Sequence, residues 1–475
     1  MITRRISLAT ALLLSLVAGT ATAAERWFED LKAGATPQQL YTFLYALPKG
    51  GDLHNHLTGA VRSEWFWDAA LAQQSRGYIY YTKVRIQNCV PYGTNQYGGS
   101  PYLLLFKNIQ AYTWQKLDAC QQSEYKRLQD LDDREKAGWL ASVRLDESYE
   151  GRDEFFNAIW ERINDLLLNP HLIGEILLRN MEAYGKEGMV YLETQQGVEG
   201  GVKADGTPYT TDEFAAILRA TLASPRAKAT GVEVRFQNAL LRFTPVAEQR
   251  LRDLYAINDR YRDLFVGVNM VGREDNDKGY PLRFLPVLRE LRHKYPDINL
   301  SIHAGEVDEP NYHIRDTLLL GAQRIGHGVN LITDPETMVM MRNGPYLVEI
   351  NLISNLLLEY VSDYSQHPFP EYLRIGVPVA LSTDDRGMWD SNLTDEFYVA
   401  VKEFNLSWEE IVLLGRNSLK YSFLDEPTKQ RLLANYDKRV AAFAQQFQKN
   451  GWSSLSATRP VTYSFICKHY KVCLP

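Results

Sequence analysis

The sequence predicts an α/β chain folded as a (β/α)8 TIM barrel, with a disulfide-closed insertion after strand one and extra C-terminal helices. Three observations predict it. Eight β-rich runs occur in order, helical patterns fill most gaps between them, and the chemically reactive side chains cluster where those runs end. Strands alternating with helices argue for βα units and a parallel sheet. Eight of them over roughly 340 residues favour a closed barrel over an open sheet. Composition supports a large core: 45% of the 475 residues are hydrophobic and 12% aromatic, which excludes a disordered chain. Lys plus Arg number 52 against 58 acids, a net charge of −6, so a nucleic-acid surface is not expected.

Taken in chain order, Met1 to Ala23 reads as a secretory signal peptide, followed by one barrel unit over residues 24–475. Arg4 and Arg5 form a basic start, Ala9 to Val17 an apolar stretch, and Ala21-Thr22-Ala23 a small-residue cleavage site. The apolar run is about half the ~20 residues a membrane span needs, so the leader implies export to the periplasm or medium, with no membrane anchor after cleavage. Trp27 to Leu47 looks helical. The first strand is the run Gly51-Asp52-Leu53-His54-Asn55-His56-Leu57.

Residues 75–150 are too long for one crossover helix. They hold a series of tyrosines, among them Tyr78, Tyr80, Tyr81, Tyr92, Tyr97, Tyr102 and Tyr112, together with Cys89 and Cys120. Structureless loops beyond about 15 residues are uncommon, so this stretch reads as an insertion beside the barrel mouth. Four cysteines allow three connectivities; the local pairs Cys89–Cys120 and Cys467–Cys473 are the simplest. No C-x₂-C spacing is present, which argues against a cysteine zinc site.

Asp153 to Gly185 continues as helix. Further strands are expected at Met189–Gln195, Val232–Leu241, Phe265–Val271, Ile298–His303, Arg324–Gly326, Tyr346–Asn351 and Pro378–Ser382. Phe284, Val287, Leu288 and Leu291 share one face of an amphipathic helix before the fifth strand. Pro370, Leu373 and Ile375 mark a less regular one before the eighth. Ser407 to Lys449 supplies closing helices, and residues 455–475 a Cys-pinned tail.

The chemistry lies at the strand ends. Of only nine histidines, His54 and His56 sit two apart on strand one, where alternation aims both at one face. His303 ends strand five in His303-Ala304-Gly305-Glu306, His327 ends strand six, and Asp384-Asp385 follow strand eight. Barrel active sites form at that face, so these residues would converge. Imidazoles plus a carboxylate suit Zn²⁺, which activates water near neutral pH. A remaining His and carboxylate can move protons.

These stretches also match a known pattern. Pro48-Lys49-Gly50-Gly51-Asp52-Leu53-His54-Asn55-His56-Leu57, Ser301-Ile302-His303-Ala304-Gly305-Glu306, Arg324-Ile325-Gly326-His327-Gly328 and Leu381-Ser382-Thr383-Asp384-Asp385 resemble the adenosine deaminase family. Ser354-Asn355, His367-Pro368-Phe369 and Gly376-Val377-Pro378-Val379 fall in the same order. The likeness runs from about residue 44 to 425, and the leader with its Cys-bearing insertion resembles the secreted, growth-factor-related branch. That branch's long N-terminal dimerisation segment is not expected from the short stretch between leader and barrel, and a homodimer is one expected arrangement.

By resemblance, His54, His56, His303 and Asp384 would bind one Zn²⁺ per chain. Glu306 would protonate purine N1, His327 would orient and deprotonate the attacking water, Asp385 would hold N7, and the Gly272 backbone would meet N3. The implied activity is hydrolytic deamination of adenosine, and of 2′-deoxyadenosine, to inosine and ammonia. One departure stands out: the family commonly reads His-x-His-Leu-Asp-Gly, whereas Thr58 stands at the Asp position here. Thr58, on the same strand face as both histidines, would leave a weaker sugar contact. The rival readings are a deaminase of adenine or another modified purine, and a secreted nucleoside-binding factor without activity. The second predicts erosion of the site residues, and all six of His54, His56, His303, Glu306, His327 and Asp384 are present.

Overall fold

The computed structural model describes residues 22–90, 103–276 and 278–474. Of the leader expected over Met1 to Ala23, residues 1–21 lie outside them, as do Tyr92, Tyr97 and Tyr102 of the insertion. Two helices open the chain, Thr22–Gly34 and Pro37–Ala46. The single helical stretch expected over 27–47 divides because Thr36 caps the second helix through a box with Gln39, and Pro37 begins it.

Eleven strands follow in order: β1 (Gly50–Asp52), β2 (Tyr80–Lys83), β3 (Asn108–Gln110), β4 (Tyr125–Arg127), β5 (Met189–Gln195), β6 (Glu233–Leu241), β7 (Phe265–Val271), β8 (Asn299–Ala304), β9 (Arg324–His327), β10 (Leu347–Ile350) and β11 (Val379–Leu381). Eight of them form one parallel sheet in the order β1-β5-β6-β7-β8-β9-β10-β11, wrapped by helices as a (β/α)8 barrel. The helix Leu285–Lys294 buries Val287, Leu288 and Leu291 as its periodicity predicts. No helix among the described residues is long and apolar enough to cross a membrane.

The first strand is shorter than expected. It ends at Asp52, and the chain continues through isolated bridges, Asn55 to Asp384 and His56 to Gln195. Here β1 and β11 meet at the mouth: the Asp384 N–H donates to the His54 carbonyl at 2.9 Å, and the His56 N–H donates to the Asp384 carbonyl at 3.3 Å. The seam of the barrel therefore runs through the backbone of three predicted metal ligands. Thr58 lies in the turn beyond these bridges rather than on a strand, because no strand partner continues past His56.

The barrel interior holds a buried polar ladder. Glu193 accepts from Arg324 at 2.5 Å and from Gln237 at 2.8 Å, and Arg324 pairs with Glu349 at 2.7 Å. Buried charges are tolerated where each has such a partner.

The insertion is folded. β3-β2-β4 form a small antiparallel sheet, and a disulfide joins Cys89 to Cys120, 31 residues apart. A second joins Cys467 to Cys473 in the tail. β3 grips the helix Trp160–Leu167: the Asn108 amide donates to the Arg162 carbonyl at 2.7 Å, and the Gln110 N–H donates to Asp165 at 2.9 Å. A π-helical turn, Phe155–Ile159, precedes that helix. Unreduced digests should yield a Cys89–Cys120 cross-linked peptide by mass spectrometry; Cys89 joined to Cys467 or Cys473 instead would refute the local closure.

Candidate active site

A cavity of about 490 Å³ opens at the C-terminal ends of the strands. His56, His303, Glu306, His327, Asp384 and Asp385 line its floor, and Phe155, Phe156 and Trp160 form an aromatic wall. Thr58 and Gly272 are on its rim, so the structure brings the predicted site residues to one place. His54 sits just beneath, fully buried. The insertion reaches the wall indirectly, since β3 grips the helix that begins at Trp160.

His54, His56, His303 and Asp384 each present one donor atom, all within 4.8 Å of one another. Their outward partners fix which atom faces inward. His54 Nδ1 meets Glu349 at 2.7 Å, which leaves its buried Nε2 without a hydrogen-bond partner. His303 Nδ1 meets Asn269 at 3.0 Å, leaving Nε2 toward His56 at 3.4 Å. Ser354 donates to the far oxygen of Asp384 at 2.7 Å. Oriented imidazoles backed by carboxylate and amide acceptors are the arrangement a metal site needs. Burial, followed by the neighbouring imidazoles, holds His303 neutral, the form that can ligate. Burial opposes charge on Asp384, but the facing imidazoles of His54 and His56 outweigh it and hold the carboxyl well below its ordinary range. The donor set fits a zinc-type cation.

The other two carboxyls behave oppositely. Burial raises Glu306 well above the ordinary carboxyl range, with Asp384 and Glu274 adding to it. Burial and the adjacent Asp384 charge do the same to Asp385. Both shifts favour the protonated form, in which a carboxyl can donate a hydrogen bond.

The tautomer of His327 follows from a relay. The Phe369 N–H donates to His367 Nδ1 at 3.1 Å, so neutral His367 donates from Nε2 to the Asn355 oxygen, also at 3.1 Å. The Asn355 amide nitrogen then faces His327 Nδ1 at 3.0 Å and donates to it. Neutral His327 therefore carries its proton on Nε2, which points toward Glu306 at 3.7 Å. His327 and Asp384 both adopt left-handed backbone conformations, φ 65° and 52°, a cost of about 1–2 kcal/mol each for a residue with a Cβ.

Several positioning residues escaped the sequence reading. Glu349 orients His54. Arg242 donates to the carbonyls of His303 at 2.5 Å and Gly272 at 2.8 Å. The Glu274 carboxylate accepts the backbone N–H groups of Gly305 at 3.2 Å and Glu306 at 3.1 Å. The available signal was charge inside apolar strands, as in Leu347-Val348-Glu349-Ile350. Gly59 matters for shape: a Cβ there would stand 1.5 Å from Asp385 Oδ1. Gly59→Ala is expected to displace Asp385 and lower kcat/KM on the order of 10²-fold with metal content unchanged. Steady-state kinetics beside metal analysis checks this, and wild-type turnover would remove the constraint.

Known proteins place this site in context. A chain titled adenosine deaminase 2 from Dictyostelium discoideum is 33% identical over 187 residues, 38% of this chain and 34% of that one. An adenosine deaminase from Clostridium acetobutylicum is 28% identical over 303 residues, covering 61% of this chain and 88% of the other. The chain spans about half or less of the length of several curated relatives, 34%, 53% and 48% in three cases. Among solved structures, adenine deaminase from Arthrobacter aurescens superposes with a TM-score of 0.60 at 18% identity, over 83% of this chain and 99% of its own. A Burkholderia ambifaria amidohydrolase with bound Zn gives 0.62 at 17%, over 88% and 96%. At such identities these two establish the shared barrel. The description of adenosine deaminases as a family matches residues 143–439, more than half of the sequence and most of the barrel. With its strand-end residues gathered in one cavity, the chain belongs to the adenosine deaminase family.

Proposed function

We propose that this protein is a zinc-dependent adenosine deaminase, exported from the cell, that hydrolyses adenosine and 2′-deoxyadenosine to inosine and ammonia. The observation that carries the reading is the placement of two buried carboxyls, Glu306 and Asp385, beside the four-residue ligand cluster at one cavity, where burial favours their protonated forms. His54, His56, His303 and Asp384 would hold Zn²⁺, whose Lewis acidity makes water reactive near neutral pH. The chain's own groups do the rest. Glu306 passes its proton to purine N1, so that negative charge does not build on the ring as water adds at C6. Asp385 donates to N7, and the Gly272 backbone meets N3. His327, with its proton on Nε2, orients the attacking water as a donor rather than serving as the base the resemblance implies. The Glu306 carboxylate left by N1 protonation takes back one proton of the added water, the other goes to the amino group, and ammonia leaves as the C6–N bond breaks.

The cavity wall favours a nucleoside over a nucleotide. It carries Glu161, Glu306, Asp384 and Asp385, and no lysine or arginine among the described residues, so a 5′-phosphate would enter without a counter-charge. The deaminase of free adenine remains the second reading, favoured by the structural likeness to an adenine deaminase. Loss of ultraviolet absorbance and release of ammonia, measured on adenosine, 2′-deoxyadenosine, adenine and AMP, tests both. Turnover of adenine alone would replace the first reading by the second.

Thr58 makes a further prediction. A neutral hydroxyl replaces a charged acceptor, whose hydrogen bond is typically worth about 1.5–3 kcal/mol. Thr58→Asp should therefore increase the preference for adenosine over 5′-deoxyadenosine, with the pH dependence unchanged. An unaltered kcat/KM ratio would make Thr58 a bystander.

A further inference from the structure

Gln195 is the last residue of β5. Two residues earlier, Glu193 points into the barrel, where it meets Gln237 and Arg324. Alternation along a strand sends Gln195 to the same interior face, one step nearer the mouth, and it lines the cavity. Its backbone is fully engaged: the N–H donates to the Asn55 carbonyl at 2.7 Å, and the carbonyl accepts from Leu57 N–H at 3.3 Å. The side chain is thus held beside the His56–Thr58 segment. Only 6% of the residue is exposed, and both amide atoms are buried without a hydrogen-bond partner.

A buried amide with neither donor nor acceptor matched is costly, and where it lines a cavity a ligand or a water can complete it. Three cavity-lining residues share this condition: His327 at Nε2, Asp385 at Oδ1, and Gln195 at both amide atoms. The first two face the purine and the attacking water in the reading above. Gln195 has no role there. The ring nitrogens are already met by Glu306, Asp385 and Gly272, so the polar groups left on a nucleoside are its sugar hydroxyls. A hydroxyl both donates and accepts, as does a carboxamide, and a vicinal diol can match its two atoms at once.

We propose that Gln195 is the residue that reads the sugar hydroxyls of the nucleoside and so determines specificity for ribose. This rests on the deaminase reading and deepens it. A site built to hydrogen-bond a hydroxyl discriminates strongly against substrates lacking it, because its own polar atoms are then left unmatched.

The test measures kcat/KM of wild type, Gln195→Met and Gln195→Glu on adenosine, 2′-deoxyadenosine and 3′-deoxyadenosine, with zinc-loaded full-length protein. Gln195→Met keeps the length and loses both polar atoms. It should cost adenosine about 10-fold or more, mostly through KM, whereas the penalty on at least one deoxy analogue shrinks to about 2-fold. Gln195→Glu keeps the acceptor and the shape, should show the same dependence on the hydroxyl with a smaller loss, and carries the test alone should Gln195→Met not fold. An equal loss on all three substrates would mean a structural role and overturn the proposal, as would no loss on any. Wild type inactive on all three overturns the deaminase reading and the inference together. Active wild type with an indifferent Gln195 overturns the inference alone.

Discussion

Glu306→Gln should keep its metal and its affinity for purines, while kcat falls by a factor on the order of 10² or more. The amide has nearly the shape of the acid but no proton to give. The sign of the pH dependence follows from the same cause. Burial, with Asp384 and Glu274, holds Glu306 protonated well above the ordinary carboxyl range. The wild type is active while that proton is present and should lose kcat as pH rises through the elevated value. The residual rate of Glu306→Gln should lack this alkaline fall. Glu274 supports the acid by holding its backbone N–H at 3.1 Å, so Glu274→Gln should give a smaller loss with the alkaline limb retained. Stopped-time assays from pH 6 to 10 and a purine-binding titration decide the matter; near wild-type turnover in Glu306→Gln would remove it from the role of acid.

His303→Ala should lose metal and activity together. Metal analysis is expected to drop from about one Zn²⁺ per chain to a small fraction, with turnover down on the order of 10³-fold or more. His303 contributes one of the four donor atoms gathered within 4.8 Å, and three remaining ligands leave a weak site. Asn269→Ala removes only the partner of His303 Nδ1, for which an affinity loss of about 10–100-fold is typical. Far-ultraviolet circular dichroism separates this from a structural role. If His303→Ala unfolds while a folded Asn269→Ala retains full metal, the histidine serves the core instead.

Much of the site was legible before folding. His54 and His56 could be assigned to one face because side chains alternate along extended chain, and Asn55 indeed points away, to Tyr184 and Thr194. His327 closes β9, and His303 stands one residue before the end of β8 at Ala304. Asp384 was placed correctly at the mouth, although β11 ends at Leu381 and a bridge to Asn55 carries the chain onward. Thr58 was misplaced onto a strand, since alternation says nothing about where pairing partners run out. The insertion was recognisable by length and cysteines, but its grip on the helix Trp160–Leu167 was not.

The sequence by itself determined the barrel and which candidate residues stand near its strand ends, because both depend on local information: period-two and helical periodicity, strand count, and residue types at strand ends. Only the tertiary structure decided protonation and orientation. The carboxyls of Glu306 and Asp385 are pushed up and that of Asp384 down because of what surrounds each in the closed barrel. The proton of His327 is placed by a relay that begins at the Phe369 backbone, 42 residues onward. Glu349, Arg242 and Gln195 matter through atoms that meet across strands far apart in the chain. Electrostatic interaction and hydrogen bonding act over a few ångströms of space, and sequence distance carries no measure of that separation.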